Sequence, residues 1–237
     1  MIDAIFLDAG GVIIDETLFE SKTAEIITSL ISEIKEYSIG KYNSDAEEAV
    51  YRFVSSVPEY IIFKNTDGLT QFNKIFHEYK RQFRSGNISF KLMPGLVDML
   101  KRLSSKYKFG ILGQYGAELK QFLRDQKVLD YFTFTETQEN YKITKPDPRY
   151  FEAILGMAKC DPVKCVMIGD RIDKDIYPAN VIGMKTIRLK TGLHIKQRPR
   201  IPIEMPVIEI NSLEEIAEKM LLNLFAMDSK EYPFPGR

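Results

Sequence analysis

The chain has 237 residues, 44% hydrophobic and 28% charged, enough for one large folded domain or a core carrying an insertion. Lysine plus arginine and aspartate plus glutamate both number 33, so the formal net charge is zero and nothing electrostatic favours nucleic acid or an anionic membrane as partner. Two histidines (His77 and His194) and two cysteines (Cys160 and Cys165) leave almost nothing from which to build a zinc site or a Ser-His-Asp triad.

The longest apolar runs are far too short to cross a bilayer, and Asp3 and Asp8 stand where a signal sequence would be apolar. Cys160 and Cys165 read as small core residues in a reducing compartment, so a cytoplasmic protein is expected.

In chain order, Ile5-Phe6-Leu7 is the first of three short continuous apolar runs, the pattern of strands buried on both faces of a parallel sheet. Residues 16–90 then carry helical periods and no convincing strand. Ala24, Ile27, Leu30, Ile31 and Ile34 share one face; Ala49, Phe53, Val54 and Val57 another; Leu69, Phe72, Ile75, Phe76 and Tyr79 a third. Met93-Pro94-Gly95 precedes a further helix, and Phe109-Gly110-Ile111-Leu112 is the second strand. Asp147 followed by Pro148 signals a capped helix whose Phe151, Ile154, Leu155 and Ala158 fall together.

Cys165-Val166-Met167-Ile168 is the third strand, residues 170–183 read as loop then helix, and 184–189 as another strand. Asn211 with Glu214 resembles a capping box for a last helix with Leu213, Ile216, Ala217, Met220, Leu221 and Leu224 on one stripe. The tail beyond has no helical period, with Tyr232 and Phe234 as its docking candidates. This alternation predicts a doubly wound α/β core from residues 1–15 and 91–225, an inserted helical lid over 16–90, and a C-terminal tail over 226–237.

Ligands of open parallel sheets bind at the carboxyl ends of the strands. Asp8 follows the first run, Gly113 and Gln114 the second, and Asp170 the third, so neighbouring strands would bring them to one crevice. Carboxylates as close as Asp8 and Asp170 would then be need a cation, and hard oxygen ligands suit Mg²⁺. Taken singly, the same residues have plainer readings. Asp8 could close a turn, Asp170 and Asp175 could favour a helix N-terminus, Asp173 could cap that helix, and Lys145 could be a solvated loop residue.

Taken together, three segments in order have a family look. Phe6-Leu7-Asp8-Ala9-Gly10-Gly11-Val12, Lys145-Pro146-Asp147-Pro148, and Gly169-Asp170 with Asp175 five residues on resemble the first, third and fourth motifs of the haloacid dehalogenase-like (HAD) superfamily. The resemblance runs from Ile5 to about Leu189 and implies a Rossmann-like core with a helical cap at residues 16–90. It implies that Asp8 is the nucleophile of a phosphatase acting on a small phosphorylated substrate through an aspartyl-phosphate. Mg²⁺ would be held by Asp8, the Gly10 carbonyl and Asp170, with Asp175 completing or orienting the site. Lys145 would neutralise the carboxylates and the phosphoryl group.

Two positions depart from the family pattern. Gly10 stands where these phosphatases usually carry a second aspartate, the general acid–base worth about 10²–10⁴-fold in rate. Leu112-Gly113-Gln114 lacks the usual serine or threonine, leaving the Gly113 amide or Gln114 to contact phosphate. Asp15, His77 and His194 are candidate substitutes for the acid, though each reads more simply as a surface or capping residue. The departures open two alternatives. One is a non-catalytic relative binding Mg²⁺ and a phosphorylated ligand or a partner protein. The other is a phosphonate- or haloacid-cleaving relative, for which the cap offers Lys22, Lys35, Lys64 and Lys74, while Asp170 and Asp175 argue against a metal-free dehalogenase.

Overall fold

The computed structural model describes residues 2–86, 89–113, 116–135 and 142–226, and its chain divides into two compact units. The first comprises Met1–Ile14, Leu92–Lys190 and Pro199–Arg237, the second Asp15–Lys91 and Thr191–Arg198. Tyr232 and Phe234 lie outside the described residues.

The first unit is built on six parallel strands: β1 (Ala4–Leu7), β2 (Lys108–Ile111), β3 (Phe132–Phe134), β4 (Cys165–Gly169), β5 (Lys185–Leu189) and β6 (Ile208–Ile210). Their order is β3-β2-β1-β4-β5-β6. The chain winds outward from β1 to β2 and β3, then crosses to β4 on the other side of β1. That reversal makes the carboxyl ends of β1 and β4 the switch point where such sheets open a crevice.

The continuous apolar runs have a direct cause. Ala4, Phe6, Cys165 and Met167 pack with Tyr150, Phe151, Ile154 and Leu155 of helix α7 (Pro148–Ala158) and with Ala179 of α8 (Tyr177–Val181). The alternate residues Ile5, Leu7, Val166 and Ile168 point to the opposite face by the strand's two-residue period, and they too are fully buried. Each such aliphatic or aromatic side chain contributes about 1.5–3 kcal/mol on burial. The edge strands β3 and β6 escape sequence analysis because three residues are too few to display a period.

Helix signals mostly act where they stand. The Asp147 carboxylate accepts from the Arg149 amide at 2.9 Å and starts α7. The C-terminal box is one residue later than the Asn211/Glu214 pair suggests. Ser212 Oγ accepts from Glu214 N at 3.1 Å, and Glu215 accepts from Ser212 N at 3.0 Å. That box caps a 3₁₀ turn, Leu213–Glu215, before the last helix, Glu218–Ala226, so the stripe from Leu213 to Leu224 is not one continuous helix.

The second unit holds four helices among the described residues: α1 (Thr17–Ser32), α2 (Ile39–Tyr51), α3 (Val57–Lys64) and α4 (Gly68–Ser85). The period read through Ala49, Phe53, Val54 and Val57 is interrupted because Phe53 takes a left-handed φ of 57°, and Ser56 then caps α3. Ile27, Ile31, Ala49, Val50, Ile61 and Ile62 form the centre of its core. Among them Asp45 is fully buried and accepts from Tyr37 Oη (2.9 Å), Lys41 Nζ, Lys64 Nζ and Asn65 Nδ2 (each 2.8 Å).

The segment Thr191–Arg198 belongs to this helical unit although both its flanks belong to the sheet unit. Leu193 packs on the helical core, its amide donates to Glu20 at 2.8 Å, and Lys196 pairs with Glu47 at 2.8 Å. Among the described residues no helix is long and apolar enough to cross a membrane.

Candidate active site

Asp8 leaves the end of β1 with its amide still in the ladder, donating to Ile168 O at 2.9 Å. Asp170 stands just past β4, and Asp175 closes a turn of π-helix, Ile172–Ile176. The three offer carboxylate oxygens that all lie within 4.8 Å of one another. Glycines make this approach feasible. Gly11 has φ +68°, and a Cβ there would stand 2.7 Å from the Asp170 carboxyl carbon. A Cβ at Gly169 would meet Asp175 Cγ at 2.6 Å.

Lys145 reaches this cluster from the segment before α7. Its ammonium donates to Asp8 Oδ1 at 2.7 Å and Asp175 Oδ1 at 2.6 Å, and it lies 5.6 Å from the Phe151 ring centre. Its side chain is 2% exposed, so this is a buried cation held by the buried Asp175 and the partly buried Asp8, and not a solvated loop lysine. The other Asp175 oxygen accepts from the Arg171 amide at 3.0 Å. Burial, then the charge of Asp175, push the Asp8 carboxyl up to about 7 against the pull of Lys145. Burial alone would lower the Lys145 ammonium, but Asp175 and Asp8 outweigh it and hold it above the ordinary lysine range.

Gly10 and Gly113 are close to Asp8, whereas the remaining expected residues take other positions. Gly10 sits in a tight turn bridged to Ile14, and Gly113 is buried after β2, against Ala9. Gln114 lies outside the described residues. Asp173 does not cap the turn after β4; it lies within that turn and pairs with Arg171 at 2.7 Å. Asp15 accepts from the Thr17 amide and hydroxyl and so opens α1, while His77 is bound to Asn73 O one helical turn away. His194 belongs to the Thr191–Arg198 segment of the helical unit.

Two neighbours of the site escape sequence analysis. Arg188 is fully buried on β5 and donates to the Asp170 main-chain oxygen at 3.3 Å and to Glu209 at 2.8 Å. An arginine between the apolar residues Ile187 and Leu189 of a strand is the available signal, since an unpaired buried charge is prohibitively costly. Tyr150, also fully buried, donates to Gly113 O at 3.0 Å. It looked like any other core aromatic.

The chain as a whole has parallels in known proteins. Residues 14–189 match the model of the haloacid dehalogenase-like hydrolase family. A glyceraldehyde 3-phosphate phosphatase of Pyrococcus abyssi is 26% identical over 211 residues, covering 81% of this chain and 83% of that enzyme. The enzyme of the same name from Methanopyrus kandleri is 29% identical over 131 residues, 54% of this chain and only 56% of its own length. Among solved structures, a predicted phosphoglycolate phosphatase of Haemophilus somnus superposes with a TM-score of 0.66 at 15% identity, covering 90% of this chain and 95% of that one. A putative HAD hydrolase of Bacillus subtilis, solved bound to magnesium, does so with a TM-score of 0.65 at 16% identity, covering 94% and 98%. With three quarters of the chain matched by one family model, this chain belongs to the haloacid dehalogenase-like hydrolases.

Proposed function

We propose that the chain is a Mg²⁺-dependent phosphatase of a small phosphorylated metabolite, working through Asp8. The observation that carries this reading is the crowding of Asp8, Asp170 and Asp175 within 4.8 Å. Three hard oxygen donors at one buried rim fit Mg²⁺ well, and the raised Asp8 carboxyl reports a site where added positive charge is favourable. Asp8, Asp170 and the Gly10 carbonyl would hold the ion. Both Asp175 oxygens are engaged, by Lys145 and by the Arg171 amide, which favours an orienting role for that residue. Bound there, Mg²⁺ supplies charge neutralisation for the transferring phosphoryl group.

The chain's own residues do the rest. Asp8, ionised, attacks phosphorus and takes the phosphoryl group as the leaving oxygen departs; water then releases phosphate and restores the carboxylate. Lys145, fixed between Asp8 and Asp175, keeps a positive charge beside the developing negative one. Gly10 has no side chain to protonate the leaving oxygen. Turnover of alkyl phosphates is therefore slow, and aryl or acyl phosphates, whose leaving groups depart without a proton, are turned over relatively better. The curated relatives named for glyceraldehyde 3-phosphate support the class of small phosphorylated metabolites. The two free thiols, Cys160 and Cys165, support a reducing, cytoplasmic setting.

Gly10 equally favours a second reading, a relative that binds Mg²⁺ and a phosphorylated ligand with no useful turnover. The phosphonate reading is weakened for Lys64, whose ammonium is engaged by Asp45 and Glu48. The deciding experiment is hydrolysis of p-nitrophenyl phosphate with and without Mg²⁺, with Asp8→Asn as control. Metal-dependent turnover lost in the variant supports the phosphoaspartate route; no turnover, or turnover indifferent to Asp8, moves the assignment to the binding protein. Gly10→Asp should then speed alkyl phosphates more than aryl ones, and an equal effect on both would sink the leaving-group account.

A further inference from the structure

Strand β5 carries a charge where its neighbours in the chain are apolar. Arg188 is fully buried, and its register sets it beside Gly169 of β4 on one side and Glu209 of β6 on the other. Its Nη1 donates to Glu209 at 2.8 Å and its Nε to the Asp170 main-chain oxygen at 3.3 Å. The Glu209 side chain is 38% exposed and also pairs with Lys190 at 3.5 Å, so the guanidinium is anchored from the solvent side. A well-packed apolar side chain in this place would avoid the desolvation that a buried guanidinium costs. Stability alone does not account for Arg188.

What its second bond holds is a peptide with two ends. The peptide joining Asp170 to Arg171 gives its carbonyl to Arg188, and its amide donates to Asp175 Oδ2 at 3.0 Å. In a planar trans peptide these two groups point in opposite directions, so the unit turns as one piece and neither bond shifts without the other. Asp175 itself lies over the bare main chain of Gly169, where a Cβ would stand 2.6 Å from its carboxyl carbon, and hydrogen bonds set how that carboxylate is turned. Its other oxygen accepts from Lys145 at 2.6 Å, and Lys145 reaches Asp8 at 2.7 Å. A line of bonds thus runs from Glu209 through Arg188, the 170–171 peptide, Asp175 and Lys145 to Asp8, all within the sheet unit.

We infer that Arg188 is a positioning residue for the cation site, holding the 170–171 peptide so that the Asp170 and Asp175 carboxylates keep their directions, with Glu209 as its anchor. This rests on the Mg²⁺ site proposed above, which the phosphatase and the binding-protein readings share. As a bare charge Arg188 would repel a divalent ion, so the two roles have opposite signs.

Mg²⁺ affinity by titration calorimetry, and Tm without metal, are measured for the wild type, Arg188→Met, Glu209→Ala and Thr186→Val. Arg188→Met keeps an unbranched side chain without donors and leaves Glu209 to Lys190 and solvent. Thr186, buried on the same strand, bonds to Asn180 and to the Val207 amide, and its change to valine is the control for a loosened strand. Arg188→Met should weaken Mg²⁺ binding by about 10–100-fold, the usual cost of removing a group that orients metal ligands. Glu209→Ala should weaken it several-fold, and because Glu209 is partly exposed this variant decides the matter where Arg188→Met does not fold. Thr186→Val lowers Tm and leaves Mg²⁺ affinity alone. With a wild type that binds Mg²⁺, unchanged or tighter binding in the folded Arg188 or Glu209 variant, or an equal loss in Thr186→Val, overturns the positioning role and keeps the metal site. A wild type that binds no Mg²⁺ overturns both.

Discussion

Two clusters around buried carboxylates, one in each unit, treat them in opposite ways. In the helical unit Asp45 receives two ammonium groups, a phenol and an amide, and although burial opposes it this set holds the carboxyl well below its usual range. At the end of the sheet Asp8 shares Lys145 with Asp175 and has Asp170 close by, and its carboxyl is pushed up. A cluster whose anion is amply matched is complete by itself and serves folding. In the other the carboxyl is held up by burial first and by the neighbouring Asp175 second, and a cation at such a site would offset both.

The largest effect that would break this contrast is Asp45→Ala. Removing the acceptor strands two lysines, Tyr37 and Asn65 around a buried hole, and it should cost about 3–5 kcal/mol in denaturant unfolding. A loss below ~1 kcal/mol would mean the cluster is solvated and the contrast false.

Next comes Asp8→Asn without metal. A carboxyl whose folded value is raised to about 7 binds more protons folded than unfolded, so its contribution is whole below the ordinary value of 3.8 and is lost as pH rises through 7. The metal-free wild type should therefore lose stability from about pH 4 to pH 7, and Asp8→Asn should flatten that slope and gain on the order of a few kcal/mol at the upper end. Asp45 has the opposite sign, its depressed value giving stability above the unfolded carboxyl range that disappears as pH falls. A wild type with no decline between those limits would contradict the raised Asp8 carboxyl.

Mg²⁺ sharpens the same point. At a hundredfold excess over its Kd it should raise stability by about 2.7 kcal/mol, seen as a higher Tm, and Asp170→Asn should abolish the rise. Smallest is Lys196→Ala, which removes an ion pair to Glu47 whose partners are both more than half exposed, and should change stability by less than about 1 kcal/mol.

Much of this architecture is legible in the sequence because the sheet is buried on both faces, so that β1, β2 and β4 read as unbroken apolar runs. Of the residues the structure brings together, Asp8 and Asp170 announce themselves by following those runs, whereas Lys145 and Asp175 enter through the resemblance of their segments to family motifs. What stayed hidden depends on partners distant in the chain. Phe53 breaks a helical period through its backbone angle alone, and Arg188 and Tyr150 acquire meaning only from Asp170 and Gly113. Gly113 reads as a lost hydroxyl until Ala9 is seen to fill the space. The segment 191–198 carries no pattern that separates it from the core around it.

That last segment bears on how modular the protein is. Ile14 and Leu92 are bridged to each other, so excising everything between them would need only a short splice. The chain nevertheless changes units four times, and the excised core would keep Thr191–Arg198 with Leu193, the Leu193 amide and Lys196 all stripped of their counterparts. A transplant of the helical unit onto another sheet would fail for the same reason unless those eight residues travelled with it. In this protein the helical unit is a discontinuous pair of segments, and recombination that respects only the insertion boundaries cuts through it.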